Sequence, residues 1–189
     1  QDGYSEVRAT FRSALDRMRE TPGFLFTSAA ACYYAWVEEN DASMFSEIRA
    51  RVQEGRWAIV GGWWIQPDCN LPSGEGFARQ ALYGQRYFKE KFGVLARTGY
   101  NVDSFGHSGL LPKILRKSGM DRYVFMRPGA HEKAVPARLF RWESPEGDWV
   151  TAFRIPYDYC SWGQEISAHI ARYATEIRDE RGIMCFYGV

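Results

Sequence analysis

Short apolar runs of four to six residues alternate along this chain with longer segments in which apolar side chains recur every three or four positions. That alternation limits the fold more than any other feature. A period near 3.6 marks a helix buried along one side, and a short continuous apolar run marks a strand covered on both faces. From Tyr4 to Arg19 the spacing of Val7, Phe11, Leu15 and Met18 predicts a helix, which Thr21-Pro22-Gly23 stops. Phe24 to Thr27 reads as a strand. A second amphipathic helix turns Met44, Phe45, Ile48 and Val52 inward and ends at Gly55, and WAIVGG (57–62) holds the next strand. Beyond a loop with Pro67, Pro72 and Gly74, a helix from Glu75 to Phe92 presents Phe77, Ala81, Phe88 and Phe92 to the core and closes at Gly93. Then come a strand near 95–101, a helix carrying Leu110, Leu111, Ile114 and Leu115 that ends at Gly119, and a strand at 122–126. Two strand-like runs between 138 and 155 flank Pro145-Glu146-Gly147, a hairpin signal. A helix from Ile166 to Arg181 and a strand at 183–187 complete the order.

Repeated strand-helix-strand order predicts an α/β fold, with parallel strands covered by helices in a barrel-like or open arrangement. Such folds place ligands at the carboxyl ends of their strands, so chemistry is expected in the loops that begin there. The 189 residues suit one domain, with 46% hydrophobic residues to fill its core. With 24 basic and 23 acidic residues the net charge is +1, which steers the chain toward neither nucleic acid nor an anionic membrane. No apolar run approaches the roughly 20 residues of a spanning helix. Aromatic residues make up 16%, including seven Trp and eleven Tyr; their faces suit sugar rings, although any core uses them too. Cys32, Cys69, Cys160 and Cys185 are widely spaced without a CxxC pair and are expected to be reduced. Gln1 at the start and the apolar run IMCFYGV at the end both read as cuts.

Three loops after strands are rich in functional residue types: GGWWIQPDCN (61–70), NVDSFGHS (101–108) and RPGAH (127–131). Asp103 stands where a strand gives way to a glycine-containing turn, a place for a nucleophile or a metal ligand. Its plainer role would be an Asx-turn or the cap of the following helix. His107, four residues on, suits an acid-base or metal role, or a structural hydrogen bond. Arg127 could reach the same cleft from the end of its strand, or form a surface ion pair. Trp63, Trp64 and Asp68 could hold a polyol, the rings covering its apolar face, or could belong to the core. His131 has a weaker claim, and His169 is expected partly exposed on the last helix. No GxGxxG, GxxxxGK[ST] or GxSxG occurs, which disfavours nucleotide and serine-hydrolase chemistry.

Taken together, EGRWAIVGGWWIQPDCNLPSGEGFARQ (54–80), YNVDSFGHSGLLPKILRKSG (100–119), and MRP followed by RLFRWESPEG resemble glycoside hydrolase family 38, the α-mannosidases. TFRSALDRM upstream and YGV at the end extend the resemblance over nearly the whole chain. It implies a retaining hydrolase of terminal α-D-mannosides with Asp103, in the D-x-F-G-H-S motif, as nucleophile and as ligand of a divalent metal, usually zinc. Phe105 would border the sugar, and Arg127, Trp64 and either Tyr157 or Tyr159 would contact the substrate. The segment would be the central part of an N-terminal catalytic β/α domain, an incomplete barrel-like unit of the seven-stranded type. An H-x-D motif upstream, a His downstream and an acid/base carboxylate beyond Val189 would complete the site, leaving these residues inactive alone. The implied partner is a mannose-containing glycan, with neither nucleic acid nor membrane, and a homo-oligomer is compatible; a cytoplasmic location is favoured for a bacterial source. Two other readings stand beside this one: a carbohydrate-binding remnant without catalysis, and a metal-dependent carbohydrate deacetylase with Asp103 as base.

Overall fold

The computed structural model of the chain describes residues 2–157, 165–175 and 185. Helix α1 (Asp2–Glu20) is followed by strand β1 (Phe26–Ser28), helices α2 (Ala31–Asn40) and α3 (Ala42–Gln53), and strand β2 (Trp57–Ile59). Helix α4 (Gly74–Phe92), strand β3 (Thr98–Asn101), helix α5 (Leu111–Lys117) and strand β4 (Arg122–Phe125) form the middle of the chain. The hairpin β5 (Leu139–Glu143) and β6 (Trp149–Arg154) and helix α6 (Ile166–Ala174) end it. The strand expected at 183–187 and the end of the last helix lie outside the described residues.

Local chemistry explains most of these boundaries. Ser73 caps α4 by accepting a hydrogen bond from the Gly76 N–H, and Gly93 ends that helix in the left-handed conformation. The single amphipathic helix expected before Gly55 is two. Asp41 breaks it: its N–H still donates to the Val37 carbonyl of α2, while its side chain accepts from Met44 N and so starts α3. Helix α2 escaped the periodic pattern because its ACYYAW half is apolar almost all round and no capping side chain precedes it. The strand expected over 95–101 shortens to Thr98–Asn101, and α5 begins one residue late, which leaves Leu110 exposed.

The strands lie in two sheets, β1-β2 and β3-β4-β6-β5, parallel throughout except for the β5–β6 hairpin. A hydrogen bond of 2.7 Å from Gly61 N to Thr98 O links the extension of β2 to the start of β3. This is the expected α/β fold, with mixed sheets and covering helices; no closed barrel is found among the described residues.

Two apolar clusters hold the layers together. In the first, Phe11, Leu15, Tyr34, Ile48, Trp57 and Phe88 pack α1 to α4 around β2. Its rings meet edge to face, Phe11 on Trp57 at 5.1 Å, and Trp57 Nε1 donates to the Tyr34 hydroxyl, so the buried polar tips are partnered. The second joins Trp63, Cys69, Phe77, Leu111, Leu115, Tyr123, Phe125 and Val150 beneath the loops that follow β2 and β3. Where α4 crosses the β2 loop, Gly84 permits contact that no side chain would: a Cβ there would lie 2.4 Å from the Trp63 carbonyl carbon. Cys32, Cys69 and Cys185 are free thiols, as expected; Cys160 is outside the described residues. Among the described residues no helix is long and apolar enough to cross a membrane. One expectation is corrected: His169 is 4% exposed, turned inward with Tyr173, its ring 4.9 Å away on the next turn of α6.

Candidate functional site

Within each sheet the parallel strands send their carboxyl-end loops to one edge, and hydrogen bonds from Asn101 and from Ser108 N join the loop after β2 to the loop after β3. The loop after β2 is tied to β3 by the fully buried Asn101, which accepts from Trp63 Nε1 at 3.1 Å and donates to the Pro67 carbonyl at 3.0 Å. Trp63 is therefore core. Trp64 is half-buried with its ring edge-on to Tyr87 at 6.0 Å, packed against the first cluster. Asp68 spends its carboxylate on its own loop, accepting from Asn70 N and Leu71 N at 2.8 Å each, and these two N–H groups hold its pKa below the ordinary range.

In the D-S-F-G-H-S segment alternate side chains go to opposite destinations. Ser104 and His107 turn down. Ser104 Oγ donates to Cys69 Sγ at 3.3 Å, Cys69 Sγ lies 3.6 Å from the Tyr123 hydroxyl, and that hydroxyl is 2.7 Å from His107 Nε2. Around the imidazole stand Phe125 and Trp142, with ring centroids at 5.3 and 5.6 Å. Burial in this apolar setting drives the His107 pKa down to about 4, partly opposed by the Asp68 charge, so the ring is neutral at pH 7. A backbone hydrogen bond from Ser108 N to Cys69 O fastens the far end of the loop. Gly106, at φ 108°, supplies the left-handed kink between these anchors.

Asp103 and Phe105 project outward instead. Helix α5 has no side-chain cap, so Asp103 does not serve as one. Its Oδ1 lies 2.7 Å from Arg127 Nε, both side chains being about two-fifths exposed. The contact is an ion pair rather than an aligned hydrogen bond, since both atoms are enclosed and neither meets hydrogen-bond geometry. Arg127 also sits over the exposed Phe105 ring, 5.2 Å from its centroid. Its position follows from β4, whose last residue Phe125 pairs with Asn101, bringing the two loops side by side.

Arg127 lines a cleft of about 910 Å³ at the ends of β4 and β6, together with Met126, His131, Arg138, Arg154 and Tyr157. Tyr157 has a left-handed backbone (φ 62°) and packs edge-on to Tyr173, with the Arg172 guanidinium 3.9 Å from its ring centre. The structure thus brings together Asp103, Phe105 and Arg127, and puts Arg127 and Tyr157 in one cleft. It sets Trp64 apart in the core cluster, and Tyr159 lies outside the described residues. Sequence reasoning missed Cys69, Ser104 and Tyr123 as the buttress of the loop, and Arg138 and Arg154 in the cleft. Arg154 ends a strand as Arg127 follows one, and the same rule would have found it.

Zinc sites take four ligands, or three and a water. Among the described residues no three His, Cys, Asp or Glu side chains converge, and Arg127 already holds Oδ1 of Asp103. The described residues do not by themselves fit a divalent ion.

Comparison with known proteins gives a consistent result. The model of the glycosyl hydrolases family 38 N-terminal domain matches residues 2–181. Alpha-mannosidase G of Dictyostelium discoideum is 34% identical over 150 residues, 79% of this chain but 14% of that protein. Alpha-mannosidase 2C1 of Homo sapiens is 33% identical over 163 residues, 84% of this chain and 16% of that protein. An alpha-mannosidase from Enterococcus faecalis V583 superposes with a TM-score of 0.76 at 21% identity, over 93% of this chain and 20% of that one, which is a likeness of fold. The chain therefore spans a small part of each relative's length. With the match running through every described helix and strand, the chain belongs to glycosyl hydrolase family 38 and matches the model of its N-terminal domain.

Proposed function

We propose that the protein carrying this domain hydrolyses terminal α-D-mannosides with retention of configuration, and that Asp103 is the nucleophile. The observation that carries the reading is the outward placement of Asp103 at the carboxyl end of β3, against Arg127 and Phe105, in a chain of family 38. The ion pair holds Oδ1 and orients the carboxylate so that its other oxygen attacks the anomeric carbon. The glycosidic C–O bond breaks as the Asp103 ester forms, and the leaving oxygen takes a proton from a carboxylic acid. No residue of the Asp103 cluster is suited to that acid role, so the proton comes from elsewhere in the protein. Phe105 and Tyr157 offer aromatic faces to the sugar, and Arg127 offers a donor to its hydroxyls once the carboxylate is esterified.

A divalent metal, zinc by the family resemblance, enters the proposal only through Asp103 as one ligand. When bound it would orient sugar hydroxyls. We infer further that the two sheets are sectors of a β/α barrel of the seven-stranded type. The Gly61–Thr98 bond, which joins the chain just past β2 to the start of β3, supports this.

Turnover of 4-nitrophenyl α-D-mannoside by the whole protein, with and without a chelator, tests the reading. Release of nitrophenol from the α-mannoside and not from the β-anomer supports it. A protein that binds mannose but releases nothing would favour a binding remnant, and acetate release from acetylated sugars would favour a deacetylase.

A further inference from the structure

Strand β3 ends on a polar side chain in a place where a core takes apolar ones. Asn101 is fully buried, and both ends of its amide are engaged. Its Oδ1 accepts from Trp63 Nε1 at 3.1 Å, and its Nδ2 donates to the Pro67 carbonyl at 3.0 Å, so one side chain clamps the loop after β2 at two points. An amide supplies an acceptor and a donor together; aspartate would lack the donor, and leucine, of similar size, would lack both. The clamp closes on a rigid point. The Trp63 carbonyl accepts from Ala31 N at 3.1 Å, its ring packs edge-on to Phe77, and α4 presses against its backbone at Gly84.

From Asn101 the chain reaches Asp103 through Val102 alone. Val102 is held as well, because its carbonyl accepts from Arg127 N at 3.4 Å and its side chain packs with Val124, Met126 and Ile155. The β3–β4 register sets Asn101 beside Phe125, two residues before Arg127. The Asp103 carboxylate and its guanidinium partner, 2.7 Å apart, thus hang from one junction. An ion pair whose members are both about two-fifths exposed is too weak to set its own direction. The aim of Asp103 therefore comes from the backbone that carries it.

We propose that Asn101 is a positioning residue: by holding the end of β3 against the loop after β2, it aims Asp103 at the anomeric carbon. This role rests on the mannoside reading above, with Asp103 as nucleophile. A misplacement of about 1 Å at a reacting atom costs on the order of 100-fold in rate, so loss of the clamp is read in turnover even where the fold survives. Trp57 provides the comparison. Its Nε1 donates to the buried Tyr34 hydroxyl at 2.9 Å, an indole hydrogen bond of the same kind, but at the amino end of β2, away from the loops of the site.

The variants Asn101→Leu, Trp63→Phe and Trp57→Phe of the whole protein test the role. A fluorinated mannosyl fluoride, reacted to completion, counts the competent sites of each. Turnover of 4-nitrophenyl α-D-mannoside is then expressed per labelled site, which removes any loss due to unfolded molecules. Asn101→Leu should lower kcat per site at least about tenfold and Trp63→Phe at least about threefold, with KM within about threefold of the parent. Trp57→Phe should keep both constants within about twofold. The role is overturned if a folded Asn101→Leu protein keeps its kcat per site, if the loss lies in KM alone, or if Trp57→Phe loses as much. Should Asn101→Leu fail to fold, Trp63→Phe decides in the same way. A parent protein that releases no nitrophenol, or takes the label on another carboxylate, refutes the reading on which the role rests, and crystal structures of the variants then decide the positioning by themselves. An Asp103–Arg127 separation still at 2.7 Å in Asn101→Leu or Trp63→Phe would overturn it, and a longer one would support it.

Discussion

Replacing Tyr123 by Phe removes one oxygen from the floor beneath the Asp103 loop. The hydroxyl is fully buried, lies 2.7 Å from His107 Nε2, and is in contact with Cys69 Sγ at 3.6 Å. The ring itself stays, stacked on Phe125 at 5.6 Å, so no cavity opens. What changes is that the imidazole nitrogen loses its partner in surroundings made of Phe125 and Trp142. A buried polar group left unsatisfied costs about 1–3 kcal/mol. For a chain of this size each kcal/mol moves the melting temperature by roughly 2–4 °C, so a fall of about 2–12 °C is expected. Thermal unfolding followed by circular dichroism at pH 7 reads the shift. A double-mutant cycle with His107→Phe isolates the contact, and a coupling of at least about 0.5 kcal/mol is expected for groups that touch. Turnover should fall as well, because Asp103 is four residues from His107 on the same buttressed loop. A Tyr123→Phe protein within about 0.5 kcal/mol of the parent, with no coupling to His107, would refute the idea that this polar chain anchors the loop.

Acidification gives a second test through the same residue. His107 has a folded pKa of about 4 against an ordinary value near 6.5, so the unfolded chain binds its proton first. Its contribution is complete above about pH 6.5 and lost as the pH falls through 4, at most about 3 kcal/mol, and His107→Gln should flatten that part of a urea-unfolding pH series. Gly84→Ala would press a Cβ to 2.7 Å or less from the Gly62 and Trp63 backbone. The strain of overpacking, about 1–3 kcal/mol or more, should exceed the roughly 1 kcal/mol gained in helix propensity, and denaturant titration should show net destabilisation. Arg127→Gln should shift stability by less than about 1 kcal/mol, since both partners of its ion pair are about two-fifths exposed. Its kcat/KM on an aryl mannoside should nevertheless fall at least tenfold, and unchanged kinetics would remove Arg127 from the site.

The sequence made the α/β order legible because α1 and α4 carry a clear helical period, β4 is a short continuous apolar run, and Gly93 marks the end of α4 through its left-handed backbone. Helix α2 was hidden, since an apolar surface on nearly every side has no period to detect. Asp103 could be placed at the end of a strand, but its choice between capping α5 and facing Arg127 is made by the β3–β4 register, which no local pattern encodes. The same limit hid Tyr123 and Cys69, which are 54 residues apart. Trp64 and Asp68 had the right residue types for a sugar site, yet Tyr87 and the Asn70 and Leu71 amides engage them. For His169 the sequence supplies an amphipathic helix but not its orientation, and the ring turns inward beside Tyr173 four residues later.

Covalent trapping examines the nucleophile most directly. A fluorinated mannosyl fluoride that forms the glycosyl ester faster than water cleaves it would be incubated with the whole protein, and the digest sequenced by mass spectrometry. The added mannosyl mass should fall on Asp103. A label on any other carboxylate, or turnover with inversion and no adduct, would contradict the assignment.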